Sequence, residues 1–86
     1  MIYELVWSAP AKKQLRKLDP QVCRGIIMVV GALAHDPRPP GAIKLTNRPG
    51  WRVRWRDWRV IYDIDDDVVT VKVMRVGSRS NRNKCS

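Results

Sequence analysis

The sequence predicts an α+β fold, in which an N-terminal strand and a helical hairpin pack on one face of a mainly antiparallel sheet of four to five strands. Three observations carry this. Two helix start signals, each followed by an apolar stripe at helical spacing, lie within residues 8–35. Three runs rich in Val, Trp, Ile and Tyr, alternating apolar with polar, fill most of residues 51–76. Between these halves stands the segment Asp36-Pro37-Arg38-Pro39-Pro40-Gly41, which is long enough only for a loop inside one domain spanning residues 1–86.

The elements follow in order. Met1 to Trp7 has β-prone residues and partial alternation, and reads as a strand. Ser8 is a good N-cap and Pro10 falls in the first turn, so a helix starts here; Ala11, Leu15 and Leu18 form its apolar stripe, with Lys12, Lys13, Arg16 and Lys17 off it. Asp19-Pro20 opens a second helix carrying Val22, Cys23, Ile26, Ile27, Val30, Leu33 and Ala34. It should end near His35, because Asp36 precedes a proline and helix is disfavoured there. Ala42 to Asn47 is a short strand and Arg48-Pro49-Gly50 a turn. The runs 51–56, 58–64 and 68–76 are strands joined by two-residue turns at Arg56-Asp57 and Asp65-Asp66.

The chain of 86 residues has room for one modest core. Lys and Arg number 17 against 8 Asp and Glu, a formal net charge of +9. Such a field suits an anionic partner, nucleic acid foremost, and has no use in an enzyme of neutral metabolites. With 44% apolar residues the chain is not a disordered basic tail. Cys23 and Cys85 make neither a disulfide framework nor, with the lone His35, a zinc motif, so no metal or other cofactor is expected. Cys23 reads as core and His35 as a helix C-terminal residue. The longest apolar run, residues 25–34, is about half of the ~20 residues a bilayer span needs, and reads as a buried helix. Glu4 interrupts the first apolar stretch, so no signal peptide or membrane association is expected and the location is cytoplasmic.

Successive strand side chains point to opposite faces. Closing the first hairpin at Arg56-Asp57 pairs Trp55 with Trp58, Val53 with Val60 and Trp51 with Tyr62, so the apolar faces coincide. The tryptophans then lie on the core side. The other face receives Arg52, Arg54 and Arg56, with Arg54 directly opposite Arg59. Closing the second hairpin at Asp65-Asp66 pairs Tyr62 with Val69 and sets Arg59 opposite Lys72. Like charges directly opposite on a sheet cost roughly 0.2–1 kcal/mol per pair. A fold does not need that arrangement, a bound polyanion relieves it, and guanidinium forks suit phosphate oxygens. A merely solubilising face would mix signs, whereas Asp65, Asp66 and Asp67 are confined to a turn.

Four segments together resemble the RelE/ParE toxin superfamily: W-S-x-x-A-K-K near the start, D-P-R-P-P-G before the sheet, W-R-V-R-W-R-D-W-R-V-I-Y in the middle and V-x-R-V-G-S-R at the end. The resemblance covers nearly the whole chain and implies a small bacterial toxin encoded beside an antitoxin. It implies one of two activities: messenger-RNA cleavage, commonly on the ribosome, for RelE-type members, or inhibition of DNA gyrase for ParE-type members. RelE-type sites carry two basic residues before the central hairpin, an Arg in the R-V-I-Y segment and a basic residue after the terminal V-G. Those positions correspond to Arg52 and Arg54, to Arg59 and to Arg79, which favours the RelE-type activity. The chain departs from many relatives in having Ser78 where they carry His or Lys, and in lacking a Tyr a few residues later; Asn81, Arg82 and Asn83 stand there instead. That departure also admits a catalytically attenuated RNA-binding relative.

The resemblance implies metal-independent attack of a ribose 2′-hydroxyl on the neighbouring phosphorus. Arg59 and Arg79 would stabilise phosphoryl charge. Arg52, Arg54, Arg56, Lys72 and Arg82 would hold the RNA backbone. Lys72, among positive neighbours, would also move a proton. The implied partners are messenger RNA, the ribosome and an acidic cognate antitoxin that lays an apolar stripe on the toxin and brings carboxylates to its arginines.

Overall fold

The computed structural model describes residues 2–78. Its elements are β1 (Glu4–Trp7), α1 (Ala9–Arg16), α2 (Pro20–His35), β2 (Ile43–Lys44), β3 (Trp51–Trp55), β4 (Trp58–Asp65) and β5 (Thr70–Ser78). The five strands form one mixed sheet in the order β1-β5-β4-β3-β2, with β1 parallel to β5 and the remaining pairs antiparallel. The α+β class and the strand–helix–helix–sheet order therefore stand as the sequence implied.

The local chemistry is visible at each boundary. The Ser8 hydroxyl accepts from the Ala11 N–H at 3.2 Å, capping α1. Proline occupies the first turn of both helices. Helix α2 ends at His35, just before the Asp36-Pro37 step. The loop that follows is held by the buried Tyr62, whose hydroxyl donates to the Pro37 carbonyl at 2.7 Å. It is held again by Arg38, which donates to Asp66 at 2.9 Å; Tyr3 donates to the other oxygen of the same carboxylate at 2.7 Å.

The core lies between the helices and one sheet face. Ala11 of α1 and Ile26, Val30 and Leu33 of α2 meet Val53, Val60, Tyr62, Val71, Val73 and Val76. Trp51, Trp55 and Trp58 pack against this cluster, which places the tryptophans on the core side as the alternation required. Trp55 lies so close to Gly25 that a Cβ there would fall 2.0 Å from its ring. The apolar run of α2 is one-sided rather than wholly buried: Ile27 and Met28 are exposed, and Cys23 is only half-buried.

Two registers decide what shares the opposite face. Strands β3 and β4 pair as the sequence implied, with Trp55 opposite Trp58, Val53 opposite Val60 and Arg54 opposite Arg59. Strands β4 and β5 do not. Tyr62 pairs with Val73, not Val69, and Asp65 pairs with Thr70. The connection is longer than two residues because the Asp65 carboxylate accepts the N–H groups of Asp67 and Val68 at 3.1 and 3.2 Å, building a turn in place of strand. Val69 closes it with a left-handed φ of 52°. Farther along, a bulge shifts the register between Ile61 and Tyr62, so that Ile61 pairs with Arg75 and Arg59 with Gly77.

Strand β1 ends at Trp7, opposite Val73, and leaves the later part of β5 without a strand neighbour on that side. Helix α1 covers that edge. The Ser8 hydroxyl donates to the Met74 carbonyl at 2.8 Å and the Gln14 side-chain oxygen accepts the Val76 N–H at 2.8 Å. Backbone groups that a sheet partner would have satisfied are thus satisfied by side chains.

Candidate nucleic-acid interface

The face of the sheet away from the helices collects the arginines. Period two along β3 and β4 puts Arg52, Arg54, Arg59 and Ile61 on it, and the registers bring these residues into two adjoining rows. One row runs Arg52, Ile61, Arg75; the next runs Arg54, Arg59, Gly77. Arg54 and Arg75 are exposed, whereas Arg52, Arg59 and Ile61 are half-buried. A shallow cleft of about 240 Å³ opens beside these rows, with Arg59, Ile61 and Arg75 joined in its lining by Gln14 from α1 and Arg48 from the β2–β3 loop.

These guanidinium groups form no ion pair with a carboxylate of the described residues. Among the described residues the single ion pair is Arg38 with Asp66, neither of which lines this cleft. The Nε of Arg52 is buried and finds no acceptor among the described residues. A buried charged donor left open is costly unless something outside the chain supplies the acceptor. The arrangement therefore offers several N–H forks, held on rigid strands, to an anion with many oxygens.

Arg52, Arg54 and Arg59 come together as expected, and two other expected residues do not join them. Arg56 sits in the β3–β4 turn with a left-handed φ of 56°, which swings it out of the alternation. Its guanidinium lies over the Trp55 ring at 4.8 Å from the centroid, a cation–π contact on the core side. Lys72 is displaced by the register of β4 and β5. It faces Asp63, not Arg59, and lines a separate groove of about 230 Å³ with Asp63, Asp65, Val68 and Thr70. It has a carboxylate opposite in place of the guanidinium that its proton-moving role invoked. Arg79 and Arg82, with Asn81 and Asn83, lie outside the described residues.

Arg75 and Arg48 were missed by the strand pattern. In strict alternation Arg75 follows Val71 and Val73 onto the core face; the bulge turns it outward. The signal was present: Val76, not the residue at 75, continues the apolar set, and a step of three in a period of two marks a bulge. Arg48 comes from a loop shaped by Gly50, whose φ of 123° suits glycine and where a Cβ would lie 3.1 Å from the Tyr62 carbonyl oxygen. No periodicity reports on it.

The perturbed titratable groups lie where the α2–β2 loop is anchored and serve the fold. The Arg38 guanidinium, followed by the Tyr3 hydroxyl, holds the Asp66 carboxyl below the usual carboxylate range. The same carboxylate raises Arg38 and Tyr3. Arg38 also stands 5.6 Å from the centroid of Trp51. Burial pushes the Tyr62 hydroxyl up to about 12.

Comparison with known proteins bears out the fold and gives the family. Residues 5–83 match the family described as ParE toxin of type II toxin–antitoxin system, parDE. Toxin RelG of Mycobacterium tuberculosis is 28% identical over 83 residues, covering 94% of this chain and 95% of its own length. The fold superimposes with a TM-score of 0.83 on a chain of the toxin–antitoxin complex RelBE2 of Mycobacterium tuberculosis, at 26% identity over 92% of this chain and 100% of the other. A chain of the intact E. coli RelBE toxin–antitoxin complex gives a TM-score of 0.78 at 28% identity, covering 88% of this chain and 95% of its own.

Proposed function

Since this chain belongs to the ParE toxin family of type II toxin–antitoxin systems, within the RelE/ParE superfamily, we propose that it is a RelE-type messenger-RNA endoribonuclease, working with the ribosome in the cytoplasm and neutralised by a cognate antitoxin. The observation that carries this reading is the uncompensated pair Arg54 and Arg59, set opposite each other on an open sheet face with Arg52 and Arg75 alongside. Relatives solved as toxin–antitoxin complexes support the antitoxin partner. An acidic segment crossing this face would satisfy the same guanidinium groups and exclude RNA.

The reaction is attack by a ribose 2′-oxygen on the adjacent phosphorus. The P–O2′ bond forms and the P–O5′ bond breaks, leaving a 2′,3′-cyclic phosphate and a 5′-hydroxyl. Arg54 and Arg59 hold the scissile phosphate between β3 and β4 and stabilise the charge that builds on its oxygens. Arg52 fixes the neighbouring backbone so that the 2′-oxygen, phosphorus and 5′-oxygen lie in line. Guanidinium groups do not accept the 2′-hydroxyl proton, which leaves to solvent, and solvent returns a proton to the departing 5′-oxygen. Arg79, which lies outside the described residues, is proposed from the family resemblance alone as a further source of positive charge for the reaction.

A second reading is inhibition of DNA gyrase, the activity that the resemblance implies for ParE-type members, whose name the matching family carries. Inducing the protein in a bacterium separates the two. Rapid translation arrest with discrete new messenger-RNA 5′ ends supports the nuclease; a DNA-damage response with intact messenger RNA supports the gyrase inhibitor.

A further inference from the structure

The cleft beside Arg59 offers donors and no carboxylate. Its lining includes the guanidinium groups of Arg48, Arg59 and Arg75 and the side-chain amide of Gln14. The Gln14 oxygen is already engaged by the Val76 N–H at 2.8 Å, so the amide is fixed and its NH₂ is what remains for a ligand. None of the three arginines forms an ion pair with a described residue. Ile61 supplies an apolar side chain to the lining. Gly77, opposite Arg59, keeps the space open: a Cβ added there would meet nothing within 4 Å. The bulge in β5 is what delivers Arg75 here, one row along from Arg59 on the same face.

We propose that this cleft is a second phosphate subsite, in which Arg75 and Arg48 hold the RNA backbone phosphate next to the one addressed by Arg54 and Arg59. Polar side chains with only donors to spare favour a ligand rich in acceptors, and a phosphodiester is the acceptor that a +9 chain attracts first. The proposal rests on the RNA-directed reading above and adds a residue that the strand alternation assigned to the core.

The test is salt-dependent binding of an uncleavable 2′-O-methyl RNA oligonucleotide to the purified chain. Arg75→Gln should weaken binding about tenfold at 0.1 M salt, the scale of one charge-assisted hydrogen-bonded contact. It should also flatten the slope of log K against log salt by about 0.7, the single-strand value for one phosphate. Arg75→Lys should keep the slope. Gly77→Val fills the space without changing charge, suits a strand, and should weaken binding while the protein remains folded. Unchanged affinity and slope in Arg75→Gln would overturn the subsite. Wild-type protein that cleaves RNA with such an unaffected variant leaves the nuclease standing and removes the subsite. Wild-type protein that binds with the expected slope change but cuts nothing, ribosomes included, supports the subsite and removes the nuclease. No binding of RNA removes both.

Discussion

Arg54 on β3 and Arg59 on β4 stand directly opposite each other, and neither pairs with a carboxylate of the described residues. Directly opposed like charges cost a sheet about 0.2–1 kcal/mol. Replacing one of them should therefore separate stability from function. Arg54→Gln is expected to leave the folding free energy unchanged or raise it by about 0.2–1 kcal/mol in urea unfolding, while RNA cleavage falls at least about tenfold. A variant that lost stability and kept activity would show that the pair serves the fold.

Two glycines of α2 should respond in opposite directions. At Gly25 an added Cβ would sit 2.0 Å from the Trp55 ring, so Gly25→Ala is expected to cost about 1–3 kcal/mol through overpacking. At Gly31 nothing lies within 4 Å, so Gly31→Ala is expected to stabilise by up to about 1 kcal/mol through helix propensity. Denaturant midpoints of the two variants check this.

Tyr62 gives the fold an alkaline limit. Its hydroxyl is buried against the Pro37 carbonyl and pushed up to about 12. The folded state holds this proton more tightly than the unfolded state, where the value is near 10. The stabilisation is therefore complete below pH 10 and is lost as the pH rises from about 10 to 12, by roughly 2 kcal/mol. Tyr62→Phe should be less stable than wild type at pH 8, because it leaves the Pro37 carbonyl unpaired, and the gap should shrink toward pH 12. Chemical unfolding across that range measures it.

Gln14 belongs to both the fold and the site. Gln14→Glu keeps an acceptor for the Val76 N–H and places a carboxylate among Arg48, Arg59 and Arg75. Stability should change by less than about 1 kcal/mol while RNA affinity drops about tenfold or more. Gln14→Leu should instead destabilise by about 1–3 kcal/mol, because it strands the buried Val76 N–H.

The β3–β4 half of the site was legible because both strands alternate cleanly and a two-residue turn fixes their register. The β4–β5 half was not, for two physical reasons. Val68 and Val69 are β-prone, yet the Asp65 carboxylate binds the N–H groups of Asp67 and Val68 and Val69 takes a left-handed φ, so the strand begins at Thr70. The resulting slip of four positions, from Val69 to Val73 opposite Tyr62, preserves the face, so hydrophobic alternation accepts either pairing. That slip is why Lys72 meets Asp63, and slip and bulge together put Gly77, not Lys72, opposite Arg59 and Arg75 opposite Ile61. Arg56 left the face because it, not a glycine, adopts the left-handed turn position and then rests on Trp55. Both helices were legible from Ser8, Pro10, Asp19 and Pro20, although Asp19 makes no side-chain cap bond.

The most direct test of the central claim is to incubate the purified chain with ribosomes carrying a defined messenger RNA and to map the ends produced. The expected result is cleavage giving 5′-hydroxyl and 2′,3′-cyclic phosphate ends, slowed about 10²-fold or more by Arg59→Gln. Messenger RNA that stays whole, together with gyrase that no longer supercoils DNA in the presence of the same protein, would contradict it.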